Sequence, residues 1–108
     1  MKHVLFVCTQ NRVRSLTAEH LFQGRNGWQT ASAGISAAAR VELTEELIGW
    51  ADLIVFMEQG HQDYVSAAFP NALAPKGTAC LDVRDLYHYG ESDLKTDLET
   101  KMKHLLRQ

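Results

Sequence analysis

The sequence predicts an α/β fold, a three-layer α/β/α domain on a four-stranded parallel sheet. Three observations carry this expectation. Short strand-like runs at 3–7, 28–34, 52–57 and 78–83 alternate with stretches that read as helices. These runs do not alternate polar with apolar residues, as expected of strands covered on both faces. The chain has 108 residues, 45% of them hydrophobic and 22% charged, which suits one globular domain spanning 1–108.

Each element has a local reason. HVLFV, residues 3–7, is apolar and twice β-branched, which reads as a buried strand. Ser15 stands where it can cap the next helix, with Ala18, Leu21 and Phe22 inward and Gly24 as its stop. NGW turns the chain into WQTASAG, a second strand ending at Gly34. ISAAARVEL, residues 35–43, reads as a loop or a ragged helix. Thr44 caps the short helix EELIGW, and Glu45 and Glu46 complement its dipole. DLIVFM, 52–57, is the most strand-like run, and QGHQDYVSAAF follows as a helix stopped by Pro70. TACLDV, 78–83, is the fourth strand, with Cys80 in the core. After the loop RDLYHYGE, Ser92 caps a last helix whose Leu94, Leu98, Met102 and Leu105 share one apolar face. Asp97 with Lys101, and Glu99 with Lys103, are the expected pairs on its wet side.

Composition excludes several functions. The net charge of −2 gives no overall attraction to nucleic acid or to an acidic membrane. Lys2, His3, Arg12, Arg14 and Arg25 concentrate positive charge in the first quarter, which suits a small anionic ligand. The two cysteines, Cys8 and Cys80, have different contexts, so no disulfide framework is expected. No signal peptide and no run of membrane-spanning length is seen, which makes the cytoplasm the expected compartment. The five histidines are scattered and neither cysteine has a close-spaced ligand partner, so neither a metal nor another cofactor is expected.

Chemistry concentrates in VCTQNRVRS, residues 7–15, between the first strand and the first helix. In parallel α/β sheets the ligand site lies at the carboxyl ends of the strands, near the point where strand order reverses. Cys8 and the stretch 82–85 are both expected at such ends. A tight turn after Cys8 points the backbone N–H groups of Thr9, Gln10, Asn11, Arg12, Val13 and Arg14 into a cup for a tetrahedral oxyanion. Those donors favour an anionic, nucleophilic sulfur at the base of the cup. Arg14 supplies a planar fork for two oxygens, and the Ser15 hydroxyl can donate to the sulfur. The loop has no glycine, so Asn11 is expected to take any left-handed position. It also lacks the glycine-and-lysine pattern of triphosphate-binding loops. The bland alternative is a core cysteine followed by a solvated turn. Strand, helix and Arg-Ser arriving together favour a nucleophile.

VLFVCTQNRVRSLTAEHLF resembles the amino-terminal segment of low-molecular-weight protein tyrosine phosphatases, with Cys-x5-Arg-Ser, an internal Asn and a following Ala-Glu. The resemblance continues through SAG at 32–34, ADLIVFMEQGH at 51–61 and RDLYHYGESDL near the end, in shortened form. It implies a phosphomonoesterase that forms a phosphocysteine on Cys8, with an aspartate as general acid and base. Aligning DLYHYG with the family's Asp-Pro-Tyr-Tyr-Gly selects Asp85 over Asp82 for that role. Tyr87 and Tyr89 then either wall the substrate pocket or pack on the last helix. The expected substrates are a phosphorylated protein, with phosphotyrosine as the family's class, or a small phosphomonoester. Oligomeric state is left open.

Four departures stand out. Leu86 replaces the family's proline, Gln10 a usual glycine, and Val13 a frequent second cysteine. Arg12 occupies the position that separates the tyrosine-phosphate and arginine-phosphate branches, and its charge argues against a cationic phosphoarginine. His20, His61 and His104 are expected on helices in surface or packing roles, with His88 nearer the site. Two rival functions remain from this stage. One is arsenate reduction, which needs further cysteines where only Cys80 is left. The other is a non-catalytic module that binds phosphate.

Overall fold

The computed structural model describes residues 2–106. Its elements in chain order are β1 (Lys2–Cys8), α1 (Arg14–Phe22), a 3-10 turn (Arg25–Gly27) and β2 (Trp28–Gly34). Then come α2 (Glu45–Trp50), β3 (Leu53–Phe56), α3 (Gln59–Ala68), α4 (Pro70–Leu73), β4 (Gly77–Cys80) and α5 (Ser92–Leu106). All four strands pair in parallel, in the order β2-β1-β3-β4. The chain leaves β1 toward one edge and returns past it to build the other. The order therefore reverses beside β1, and the carboxyl end of β1 opens into the resulting crevice.

Strand periodicity splits the sheet's side chains between two cores. Val4, Phe6 and Val55 meet Ala18, Phe22, Leu94, Leu98 and Met102, so α1 and α5 cover one face. Leu5, Val7, Ile54 and Phe56 meet Ile48, Val65 and Leu73, which puts α2, α3 and α4 on the other. Both faces being covered, the central strands β1 and β3 carry apolar residues at successive positions, which gives the three layers expected.

Several local expectations are met. Thr44 caps α2, its Oγ1 accepting from the Leu47 amide at 3.2 Å. Gly24 follows α1 with φ 83°, in the left-handed region open to glycine. Residues 35–43 form a loop apart from a single bridge between Gly34 and Glu42.

Others are corrected. Ser15 does not cap α1, which begins one residue earlier at Arg14, and its hydroxyl is used inside the loop instead. Ser92 is the first residue of α5, with Lys95 N donating to the carbonyl of Glu91. Pro70 follows the end of α3 and also opens α4, where its fixed φ suits a first turn. The fourth strand is shorter than 78–83, although Leu81 and Val83 still donate to the carbonyls of Phe56 and Met57. Cys80, at the end of this edge strand, is half-buried rather than in the core. Asp97 pairs with Lys101 as expected, at 3.3 Å, whereas Glu99 reaches Arg25 at 2.8 Å.

Candidate active site

The loop 8–14 is shaped by its carbonyls. Those of Cys8, Thr9 and Gln10 accept from the amides of Ile35, Ser36 and Arg40 at 3.0, 3.1 and 3.0 Å. The Asn11 carbonyl accepts from Arg40 Nε at 3.2 Å. Four successive carbonyls are thus tied outward to one neighbouring segment. A methyl group at Gly34 would overlap the Thr9 carbonyl and lie 2.7 Å from Ala39 Cβ. Only a glycine lets the two backbones approach this closely. Asn11 adopts φ 57°, the left-handed turn expected of it.

Cys8 is 3% exposed, and two donors converge on its sulfur. The Asn11 amide donates to Sγ at 3.2 Å, and Ser15 Oγ lies 2.9 Å away. Asn11 Nδ2 donates to Ser15 Oγ at 2.8 Å, which leaves the Ser15 hydrogen free to point at the sulfur. Arg14 is buried, 4% exposed, and its Nη1 donates to Glu58 Oε2 at 2.6 Å and to the Val83 carbonyl at 2.9 Å. The Arg14 hydrogen bond and charge hold the Glu58 carboxyl below its ordinary range. Arg14 Nε faces Asp85 Oδ1 at 3.9 Å.

These groups share one cavity of about 190 Å³, lined by Cys8, Thr9, Gln10, Arg12, Val13, Arg14 and Asp85. Of the two aspartates, Asp85 lines it. Asp82 is exposed with φ 57°, and its carbonyl accepts from Lys101 Nζ. Arg12 stands exposed at the rim, its Nη2 donating to the Ala38 carbonyl at 3.3 Å.

Tyr87 and Tyr89 do not line the cavity. The half-buried Tyr87 packs against the core under α5 and donates to Asp97 Oδ2 at 3.3 Å, and burial pushes its hydroxyl up from the ordinary value. Tyr89 lies 2.7 Å from His20 Nδ1, beside Thr17 and Leu21 of α1. Tyr87 therefore takes the alternative of packing on the last helix, whereas Tyr89 faces α1 instead. Arg25 and His3 also lie outside the cavity, the first paired with Glu99 and the second stacked on Trp50. Cys80 lines a groove with Thr100, Lys101 and Leu105.

Three residues near the site were given no role in it by the sequence reading. Arg40 ties the loop backbone, and Glu58 orients Arg14. His61, expected in a bland role, is 4% exposed and hydrogen-bonded to Thr9 Oγ1 at 2.9 Å. A capping box was the available signal for the last two: Glu58 and His61 stand at the N-cap and third helical position of α3.

No curated protein sequence matches the chain. The family model described as low molecular weight phosphotyrosine protein phosphatase matches residues 3–49. Among solved structures, the YwlE arginine phosphatase from Geobacillus stearothermophilus is 25% identical, with TM-score 0.74 over 99% of this chain and 92% of that one. Wzb of Vibrio vulnificus, solved with benzylphosphonate, is 21% identical with TM-score 0.78 over 98% and 97% of the two chains. The tyrosine phosphatase Wzb from Escherichia coli K30, solved with phosphate, is 22% identical with TM-score 0.77 over 98% and 96%. The matched segment spans β1, loop 8–14, α1 and β2 through to α2, and the remainder of the chain follows the same fold. The amino-terminal part of the chain is thus similar to the low molecular weight phosphotyrosine protein phosphatases, and the whole chain shares their fold.

Proposed function

We propose that the protein hydrolyses phosphomonoesters through a phosphocysteine on Cys8. The observation that carries this is the single cavity joining Cys8 Sγ, the buried Arg14 and the Asp85 carboxyl. Loop amides of residues 9–14 and the free edge of Arg14 hold the equatorial oxygens of the phosphoryl group. Sulfur attacks phosphorus in line with the ester oxygen; the S–P bond forms as the P–O bond breaks. Asp85 gives its proton to the departing oxygen, and Ser15 and the Asn11 amide stabilise the sulfur before attack and after its release. Water then attacks phosphorus while Asp85 takes its proton. The P–S bond breaks, freeing phosphate and the Cys8 thiolate. No step calls for a metal or organic cofactor.

The substrate is a phosphorylated protein or a small phosphomonoester, met in the cytoplasm. Arg12 at the rim favours a substrate with negative charge beside its phosphate. The turning away of Tyr87 and Tyr89 supports a shallow site that does not demand an aromatic leaving group. Hydrolysis of an aryl phosphate in the presence of a chelator tests the chemistry, and full activity in Cys8→Ser would sink it. Arg12→Ala is expected to lower kcat/KM severalfold for an acidic phosphopeptide and to leave a neutral aryl phosphate little changed. Equal losses on both would remove Arg12 from specificity.

A further inference from the structure

His61 has both ring nitrogens committed. Nδ1 faces the Glu58 backbone amide at 3.1 Å, and Nε2 faces Thr9 Oγ1 at 2.9 Å. A backbone amide only donates, so Nδ1 must be the bare acceptor. A neutral ring then carries its hydrogen on Nε2 and donates it to Thr9. The His61 backbone amide in turn donates to the Glu58 carbonyl at 3.1 Å within the capping box, and the Glu58 carboxylate accepts from Arg14 Nη1 at 2.6 Å. The first turn of α3 thereby grips loop 8–14 at both ends, at Thr9 through the imidazole and at Arg14 through the carboxylate.

We propose that His61 is a positioning residue for the phosphate cup, acting through Thr9 and through the Glu58 cap on Arg14, and only while its ring is neutral. The inference rests on reading loop 8–14 as a phosphate site. A proton added at Nδ1 would set two donors, Nδ1–H and the Glu58 amide, against each other. The cap would open, and Thr9 and Arg14 would lose a shared anchor. The charges around the ring are Arg14 at the head of α1, Glu58 before α3 and Asp85 on the loop after β4. Burial, first, and Arg14, second, hold the imidazole below its ordinary range, while the two carboxylates pull the other way.

Four variants, His61→Ala, His61→Gln, Thr9→Val and the double Thr9→Val/His61→Ala, test this by steady-state hydrolysis of an aryl phosphate and competitive inhibition by inorganic phosphate, from pH 5 to 8. His61→Ala is expected to weaken phosphate inhibition and raise KM about tenfold, the scale of one lost buried hydrogen bond. His61→Gln restores most of this, because glutamine at this position also completes a capping box and offers an amide to Thr9. Unlike the wild type, it lacks the extra weakening of phosphate binding at the acid end. Thr9→Val combined with His61→Ala is expected to be little worse than His61→Ala alone, since that variant already removes the Thr9 contact. Additive losses in the pair, no rescue by glutamine, or wild-type phosphate binding in His61→Ala would each overturn the proposal. Nitrogen-15 NMR of the imidazole provides a readout independent of turnover. A ring protonated at Nε2 and titrating below free histidine is expected, and an Nδ1-protonated ring refutes it. Should the protein hydrolyse nothing, the phosphatase reading falls, and phosphate binding with the NMR tautomer still judges His61.

Discussion

Arg14 and Glu58 meet at 2.6 Å, with the arginine 4% exposed and the glutamate side chain 43% exposed. The pair places a solvent-touching carboxylate behind a guanidinium that has lost its water. Burying Arg14 is tolerable because Glu58 and the Val83 carbonyl replace that water on one nitrogen, leaving the rest of the fork for an anion. Glu58→Ala should therefore damage the site more than the fold. Stability is expected to fall by about 1–2 kcal/mol, less than for a fully buried pair because Glu58 is partly solvated. kcat/KM should fall roughly 10- to 100-fold as Arg14 loses its orientation. Urea unfolding and steady-state kinetics measure the two. Unchanged kinetics would remove Glu58 from the site.

Gly34→Ala places a methyl group against the Thr9 carbonyl. The obstruction is backbone, which has little room to give, and a loss of about 1–3 kcal/mol is expected. The loop amides should shift with it, so phosphate affinity drops as well. Calorimetric phosphate titration of the folded variant checks this; wild-type affinity would show that the loop does not depend on the close approach.

The two aspartates separate cleanly by substitution. Asp85→Asn should lower kcat by about 10²–10⁴-fold on an alkyl phosphate, whose leaving group needs a proton. Asp82→Asn, altering an exposed side chain that does not line the cavity, should stay within about twofold. The reverse pattern would reassign the acid.

Acid should destabilise the protein through two groups at once. His61 in the folded chain lies below its ordinary 6.5, and Glu58 below its ordinary 4.5. In both cases the unfolded chain binds protons first as pH falls. The stability they contribute is whole above the ordinary values and is lost on passing down through the folded ones. Urea midpoints should fall from about pH 6.5 downward, and His61→Gln should flatten the upper part of that fall. A flat wild-type profile between pH 7 and 5 would contradict the burial of His61.

Much of the fold was readable because its signals are local. Strand runs, the Thr44 cap and the left-handed Asn11 follow from neighbouring residues. So did the grouping of Cys8, Arg14 and Ser15, which lie within one turn-and-helix unit. What escaped depends on distance along the chain. His61 joins Thr9 from 52 residues away, and Val83 joins Arg14 from 69. The capping-box spacing of Glu58 and His61 marks the start of α3 but does not tell a buried ring from a solvated one. Tyr87 and Tyr89 show the same limit. Their loop position was legible, but which way each ring turns is decided by Asp97 on α5 and His20 on α1.

The anchoring of loop 8–14 by residues 34–40 also has a consequence for the order of assembly. All the partners that turn its carbonyls outward lie within the first forty residues, the farthest, Arg40 N to the Gln10 carbonyl, spanning 30. Contacts of short span form at lower entropic cost than those that close long loops. The backbone mould of the cup is therefore expected to form early, as β1 and β2 pair, and the groups that set its charge to arrive afterwards with α3 and the loop beyond β4. In hydrogen exchange, the amides of Ile35, Ser36 and Arg40 should open with the sheet as one cooperative unit, not with the surrounding loops.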